Sequence, residues 1–301
     1  MVPAIFKDPT LQARFERQGF VIIDFLDEED IKSLNLFFDE LHPSIPDSGG
    51  FVSGSYSNDL KYKKKASDRI VSVFSKHYER VFTNYQPFGA AFLYKLPSQN
   101  SELGVHQDWT IVDEEKYVAL NCWIPLTDID ELNGALHILP GSHYPKINTL
   151  RAPTLPFFFT SSEDEVISQT IPQYVKAGQA VILNQSIIHY SPPNRSEKIR
   201  KAITAGVKTK GAPMVFHYKT QDDKIERFEM PEDFLLRFEN FATSIFEAPT
   251  LGRQISTLDY HSPIIERHNL KEKIKTLKSD AGFAGSSTSF FSKLFSKLKP
   301  V

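Results

Sequence analysis

The chain has 301 residues, 41% of them hydrophobic with 24 phenylalanines, enough to bury one large core plus appendages. A formal charge of −2 leaves no basic surplus for nucleic acid, and the one cysteine, Cys122, excludes an internal disulfide framework and fits a reducing compartment. No run approaches the roughly 18 apolar residues of a membrane span, and Met1 to Asp8 lacks a secretion-signal pattern, so a soluble, cytoplasmic protein is expected.

Asp8-Pro9 predicts a capped helix running to about Gln18 and ended by Gly19. Phe20 to Leu26 reads as a buried strand. Asp27 and Asp30 resemble an acidic helix N-terminus, and Ile31, Leu34, Phe37, Phe38 and Leu41 supply one helical face. Pro43 to Asn58 is rich in turn residues and long enough to be a lid near a pocket. The lysine run Lys61 to Lys65 reads as a solvated basic segment, with the phosphates of an anionic carrier such as coenzyme A as the other use. Helical periodicity returns from Ser67 to about Thr83.

From Phe88 to about Tyr218 the pattern is short β-rich runs broken by Gly, Pro, Asn and Asp, which marks a sandwich or barrel. Asn148 to Asp164 interrupts it as an irregular insert in which at least one of Phe157, Phe158 and Phe159 must be exposed or cover a cavity. After Pro231 a helical stretch is expected through Phe234, Leu235, Phe238 and Phe241. The end is a basic tail with an amphipathic segment from Phe290 to Lys299, suited to its own domain, a partner or a membrane surface. The organisation read from this pattern is one domain over residues 1–270. It comprises a helical part (1–85), a β-barrel core (86–220) and a helical part (221–270), followed by a partly flexible tail (271–301). The tail is not expected to be needed for the chemistry.

The chemistry concentrates in His106-Gln107-Asp108 and in His189, which follows the apolar run Ala180 to Leu183. Residues i and i+2 of a strand share a face, so His106 and Asp108 can grip one ion together, and a histidine from a neighbouring strand completes the set. Two imidazoles and one carboxylate leave coordination positions open, the arrangement of non-haem Fe(II) oxygenases. Arg200 opens the strand-like run to Val207, with the small residues Ala202 and Thr204 on its own face. A hairpin would set it beside the strand of His189, where its planar fork suits a dicarboxylate. Asn133-Gly134 is a hairpin signal between two β-rich runs. His137, His143 and His217 read as ordinary hydrogen-bonded histidines, Cys122 as a small buried hydrophobe, and Trp109 as packing or pocket lining. Arg195 is the competing guanidinium, placed in a solvated turn.

The order of these motifs is specific. His-x-Asp, then Asn-Gly-x-Leu-x-x-x-Pro-Gly-Ser-His over 133–143, then His-x-Ser-x-x-Asn over 189–194 with Arg200 downstream resembles the phytanoyl-CoA dioxygenase family over roughly residues 11 to 220. The resemblance implies a mainly β double-stranded β-helix, a jelly-roll or cupin-like barrel, with helical additions at both ends. It implies an Fe(II)- and 2-oxoglutarate-dependent dioxygenase with His106, Asp108 and His189 as catalytic metal ligands and Arg200 holding the far carboxylate of 2-oxoglutarate. Gln107, Trp123 and Ser191 fall where the family lines the cosubstrate pocket. Gln179 departs from the acidic residue many members carry there, which bears on a turn and not on the chemistry. The implied partners are O2 and a small or lipid-like metabolite whose C–H bond is hydroxylated. The rivals are desaturation or another oxidation by the same apparatus, a halogenase (disfavoured by Asp108), a zinc hydrolase, and a jelly-roll binding protein that has lost catalysis.

Overall fold

The computed structural model describes residues 3–45, 49–143 and 150–283. Helix α1 (Pro9–Gln18) starts where the Asp8 carboxylate accepts the Thr10 amide and stops at Gly19, whose φ is 82°. Strand β1 (Phe20–Asp24) follows, then α2 (Glu28–Leu41), capped by Asp27 accepting the Asp30 amide at 2.9 Å. The expected loop over 43–58 contains a short strand β2 (Phe51–Ser53) and a single 3-10 turn, Gly54–Tyr56. Helix α3 (Leu60–Val81) is longer than its periodicity announced, because Asp59 caps it upstream of the lysine run.

Fifteen elements complete the fold of the described residues. Strands β3 (Tyr85–Lys95), β4 (Leu103–His106), β5 (Ala119–Pro125) and β6 (Leu136–Ile138) precede the short helix α4 (Glu163–Ile167). Then come β7 (Ile171–Gln173), β8 (Gln179–Asn184), β9 (His189–Ser191), β10 (Arg200–Thr209) and β11 (Met214–Lys219). Residues 221–270, expected to be helical, instead carry β12 (Lys224–Met230) and β13 (Arg253–Asp259) around two single turns, α5 (Phe234–Arg237) and α6 (Phe241–Ser244). Helix α7 (Arg267–Asp280) occupies the start of the expected tail and buries Leu270, Ile274 and Leu277. The segment Phe290 to Lys299 lies outside the described residues. No helix among them is long and apolar enough to cross a membrane.

The strands form a six-stranded sheet, β1-β8-β5-β10-β3-β2, a four-stranded sheet, β4-β9-β6-β7, and a three-stranded sheet, β11-β12-β13. The first two face each other as the double-stranded β-helix, and α1 to α3 cover the outside of the larger one. Both faces of that sheet are therefore buried, and side chains alternate between two cores. Phe92, Tyr94, Cys122, Ile124, Ile182 and Ile203 pack outward against Leu34, Phe38, Ile70 and Phe74 of the helices. Leu93, Trp123, Val181, Leu183 and Ala202 point inward against Leu136, Ile138 and Ile187. This period of two sets which residues of β3, β5 and β10 can reach the interior.

Two expectations about connections fail. Asn133-Gly134 does not close a hairpin, since β5 and β6 belong to different sheets. Asn133 instead shapes a corner, its Oδ1 accepting the Asp130 amide at 3.1 Å and its Nδ2 donating to the Asp128 carbonyl at 2.8 Å. Gly134 there has φ 79°, and a Cβ would lie 2.7 Å from the Pro192 carbonyl, so no side chain fits. Nor do β9 and β10 form a hairpin: β10 pairs with β3 and β5, and β9 with β4 and β6. Arg200 reaches the interior from the opposite sheet.

Candidate metal centre and cosubstrate pocket

His106 and His189 are direct antiparallel partners on β4 and β9, and their ring centroids stand 4.2 Å apart. The Nδ1 atom of His106 meets the Gly104 carbonyl at 2.7 Å, and that of His189 meets the Ile187 carbonyl at 3.0 Å. A carbonyl accepts only, so each ring carries its proton on Nδ1 and turns the Nε2 lone pair inward, as second partners of metal-binding histidines do. Burial, then the neighbouring His189, hold the His106 imidazole below the usual histidine range, which favours the neutral form a metal needs.

Asp108 completes the cluster, with Oδ1 3.9 Å from His106 Nε2 and 4.0 Å from His189 Nε2. One ligand atom from each of the three lies within 4.8 Å of the others. Strand β4 ends at His106, so Asp108 is not presented by regular alternation. Its carbonyl accepts from Arg151 Nε at 2.8 Å, and Arg151 is locked bidentately on Glu114. Its outer oxygen, Oδ2, accepts from Asn121 Nδ2 at 3.1 Å, and Asn121 Oδ1 accepts from the Thr204 hydroxyl at 2.7 Å. This chain leaves Oδ1 facing the imidazoles.

The cluster forms part of the wall of a cavity of about 430 Å³. Arg200 lies in the same cavity, 2% exposed, with its guanidinium carbon 5.4 Å from the centre of the Trp123 ring. Its Nε and Nη1 have no partner among the described residues, and burial pushes its pKa down to about 9. Buried donors are rarely left unpaired, so these two mark a place for an acceptor. Gln107, Trp123 and Ser191 also line the cavity. Gln107 donates to the Ser186 carbonyl and leaves Oε1 unpartnered, while the Ser191 hydroxyl is committed to the Gly134 carbonyl at 2.8 Å. Gln179 is the first residue of β8, just past the turn, its side chain donating to Asp24 and accepting from the Lys176 amide. Arg195 is exposed.

The other histidines lie outside the cavity lining: His143 bonds the Glu16 carbonyl at 2.9 Å, His137 lies against Tyr190, and His217 is buried on β11. Trp109 both packs and lines the cavity. Phe158 and Phe159 are fully buried with Leu139, Ile188 and Ile274, away from the cavity, so the insert's aromatics are plain core. A second cluster, Asp27, Asp30 and His77, holds the Lys76 ammonium at 3.0 and 2.9 Å from its carboxylates, which supplies its countercharge. Sequence reasoning missed Lys95, Asn121, Arg151 and Tyr56. For Lys95 and Asn121 a signal existed, since both are polar residues at inward positions of strands buried on both faces; Arg151 and Tyr56 lie on irregular segments that carry none.

Comparison with known proteins gives a consistent picture. The family model for phytanoyl-CoA dioxygenase (PhyH) matches residues 15–202. The phytanoyl-CoA dioxygenase domain-containing protein 1 homolog of Dictyostelium discoideum is 29% identical over 154 residues, 48% of this chain and 52% of that one. Phytanoyl-CoA dioxygenase 1 of Oryza sativa subsp. japonica is 29% identical over 118 residues, 38% and 42% of the two chains. The chain thus spans about half the length of the curated relatives it matches. Among solved structures, the non-heme alpha ketoglutarate dependent carbocyclase SnoK from nogalamycin biosynthesis superposes with a TM-score of 0.50 at 18% identity, covering 67% of this chain and 84% of that one. HygX from Streptomyces hygroscopicus, solved with nickel and 2-oxoglutarate bound, has a TM-score of 0.50 at 13% identity, covering 71% and 93%. At such identities the likeness is one of fold.

Proposed function

The chain belongs to the phytanoyl-CoA dioxygenase family, and from that premise we propose that it is an Fe(II)- and 2-oxoglutarate-dependent dioxygenase that hydroxylates a C–H bond of a small or lipid-like metabolite. The observation that carries this reading is one cavity that combines two features. Two imidazoles and a carboxylate converge there within 4.8 Å, and a buried guanidinium keeps two donors unpartnered. The residues fit both groups: neutral nitrogens and a carboxylate oxygen suit iron(II), and the free fork of Arg200 suits a carboxylate.

In this reading His106, Asp108 and His189 hold the metal, and Arg200 pairs with the far carboxylate of 2-oxoglutarate. The Trp123 ring backs the guanidinium, and Gln107 and Ser191 shape the wall between the two. Asn121 and Thr204 hold the outer oxygen of Asp108 so that the inner one faces the metal. Bound iron(II) supplies the redox chemistry, the oxidative decarboxylation of 2-oxoglutarate to succinate and CO2 with one oxygen atom of O2 passing into the substrate. The surrounding apolar wall keeps bulk water from that chemistry.

The test is direct. Anaerobic protein given Fe(II) and 2-oxoglutarate should develop a weak visible charge-transfer band, and in air should release succinate. A metabolite panel read by mass should yield a +16 product, whereas loss of two hydrogens would mean desaturation. Absence of both the band and succinate would leave a non-catalytic binding protein.

A further inference from the structure

Away from the metal cluster and Arg200, the cavity is roofed by aromatic rings from segments far apart in the chain. The Tyr56 ring stacks on Phe241 with centroids 4.3 Å apart and planes 23° from parallel; Trp109 stacks on Phe241 at 5.8 Å and 7°. Phe246, 54% exposed, also lines the cavity and sets an apolar surface at its opening. The two segments are stitched together beside the roof: the Asn240 amide donates to Asn58 Oδ1 at 2.6 Å, and Asn58 Nδ2 donates to Asn240 Oδ1 at 3.1 Å. Lys63, drawn into the interior, donates to the Phe238 carbonyl.

The charges around this roof are as informative as the rings. Among the described residues lining the cavity, Arg200 is the one lysine or arginine and Asp108 the one carboxylate. With the metal and cosubstrate of the proposed function in place, the ion and the guanidinium are balanced by Asp108 and the two carboxylates of 2-oxoglutarate. The loaded site is neutral, and it keeps no countercharge for an ionic substrate. An unpaired charge is expensive to bury. For an anion the rim does not supply one either: residues 231–247 carry Glu232, Asp233, Glu239 and Glu247 against Arg237 alone. Of the nearby lysine run, Lys63 is spent on the Phe238 carbonyl, Lys64 is paired with Asp68 and Lys65 with Glu40, which leaves the exposed Lys61 alone against the several phosphate charges of a coenzyme A carrier.

Resting on the oxygenase reading, we infer that the substrate is an uncharged, largely apolar molecule presented without a coenzyme A carrier, its apolar body held under the roof of Tyr56, Trp109 and Phe241.

Three probes with the same rings and different heads test this: 2-naphthalenemethanol, 2-naphthoate and 2-naphthoyl-coenzyme A. Each is titrated calorimetrically into protein saturated with Ni(II) and 2-oxoglutarate, which cannot turn over. The alcohol should bind saturably, and the carboxylate and thioester about tenfold or more weaker. Phe241→Ala should weaken the alcohol about tenfold by removing the central ring of the stack, and Phe241→Leu should fall between; 2-oxoglutarate affinity is measured in parallel as the check on folding. A thioester that binds as tightly as the alcohol, an alcohol that does not bind, or Phe241 variants indistinguishable from wild type would each overturn the inference. Failure of the underlying reading shows separately, as no 2-oxoglutarate binding in the presence of Ni(II) before any probe is added. Titrating the probes into protein without metal or cosubstrate then still decides the roof. There the alcohol should bind as before, and only 2-naphthoate should gain, by reaching the vacant Arg200.

Discussion

The Arg200 guanidinium lies over the Trp123 ring at 5.4 Å, on neighbouring strands of one sheet, with two of its donor nitrogens unpartnered. The stack holds a planar fork in place without using its hydrogen bonds. Losing one partner of a buried charge pair costs about 3–5 kcal/mol, on the order of a hundredfold or more in affinity. Arg200→Ala should therefore still bind metal but need at least about a hundredfold more 2-oxoglutarate, and Arg200→Lys should rescue little. The exposed Arg195→Ala variant should behave as wild type. The opposite ranking in a 2-oxoglutarate titration would exclude Arg200 as the anchor.

His189→Ala should abolish stoichiometric Fe(II) binding and turnover while leaving the fold intact, because the remaining two ligands cannot close one face of an octahedron. Equilibrium dialysis with Fe(II) under anaerobic conditions measures this. Wild-type succinate production by the variant would remove His189 from the ligand set.

Asn121 and Thr204 should matter without touching a metal. Removing partners that orient a ligating carboxylate typically costs about 10–100-fold in metal affinity or activity. Asn121→Ala should show that loss, and Thr204→Val, which frees Asn121 without deleting it, a smaller one. Metal affinity unchanged in a folded Asn121→Ala protein would show that Asp108 is oriented by its Arg151-held backbone alone.

Phe158→Ala should destabilise the protein by about 3–5 kcal/mol, as large-to-small changes of fully buried phenylalanines do. Binding of 2-oxoglutarate and of substrate should be little changed at temperatures where the variant stays folded. A selective effect on substrate affinity would contradict its placement in the Leu139–Ile188–Ile274 core.

Lys95 gives a pH dependence. Burial, then the nearby Arg200, push its pKa down to about 6 from an ordinary 10.5, while its Nζ donates to the Ser191 and Pro192 carbonyls at 2.7 and 2.6 Å. Between those two values the unfolded chain binds more protons than the folded one, so stability rises with pH across that window; the penalty is fully present below about pH 6. Wild type should therefore gain stability relative to Lys95→Met as pH is raised from about 6 towards 10.5. Denaturant midpoints that keep a constant gap over that range would refute it.

Much of the fold and of the candidate site was legible because the signals are local. Asp8, Pro9 and Gly19 bound α1 through capping and backbone sterics, and Asp27 starts α2 in the same way. Inward and outward residues of β5 and β10 follow from a two-residue period, and that period also sends Trp123, Arg200 and Thr204 to one interior. His106, Asp108 and His189 could be singled out because residue type and motif order mark them as a candidate ligand set, and the fold brings them together. What the chain could not announce is which sheet each strand joins. Asn133-Gly134 has the chemistry of a tight turn wherever it occurs, yet burial of two sheets against each other makes it a corner. Arg200 follows His189 closely and still arrives from the opposite sheet. The strand over 224–230 exists because β11 offers it a ladder, and the strand over 253–259 because β12 does, which no local propensity records. The roof of Tyr56, Trp109 and Phe241, the burial of Lys95 and the clamp of Arg151 on Asp108 are contacts between distant segments. Local sterics and hydrogen bonding select the elements; only the shared burial of apolar faces decides which side chains those elements bring together.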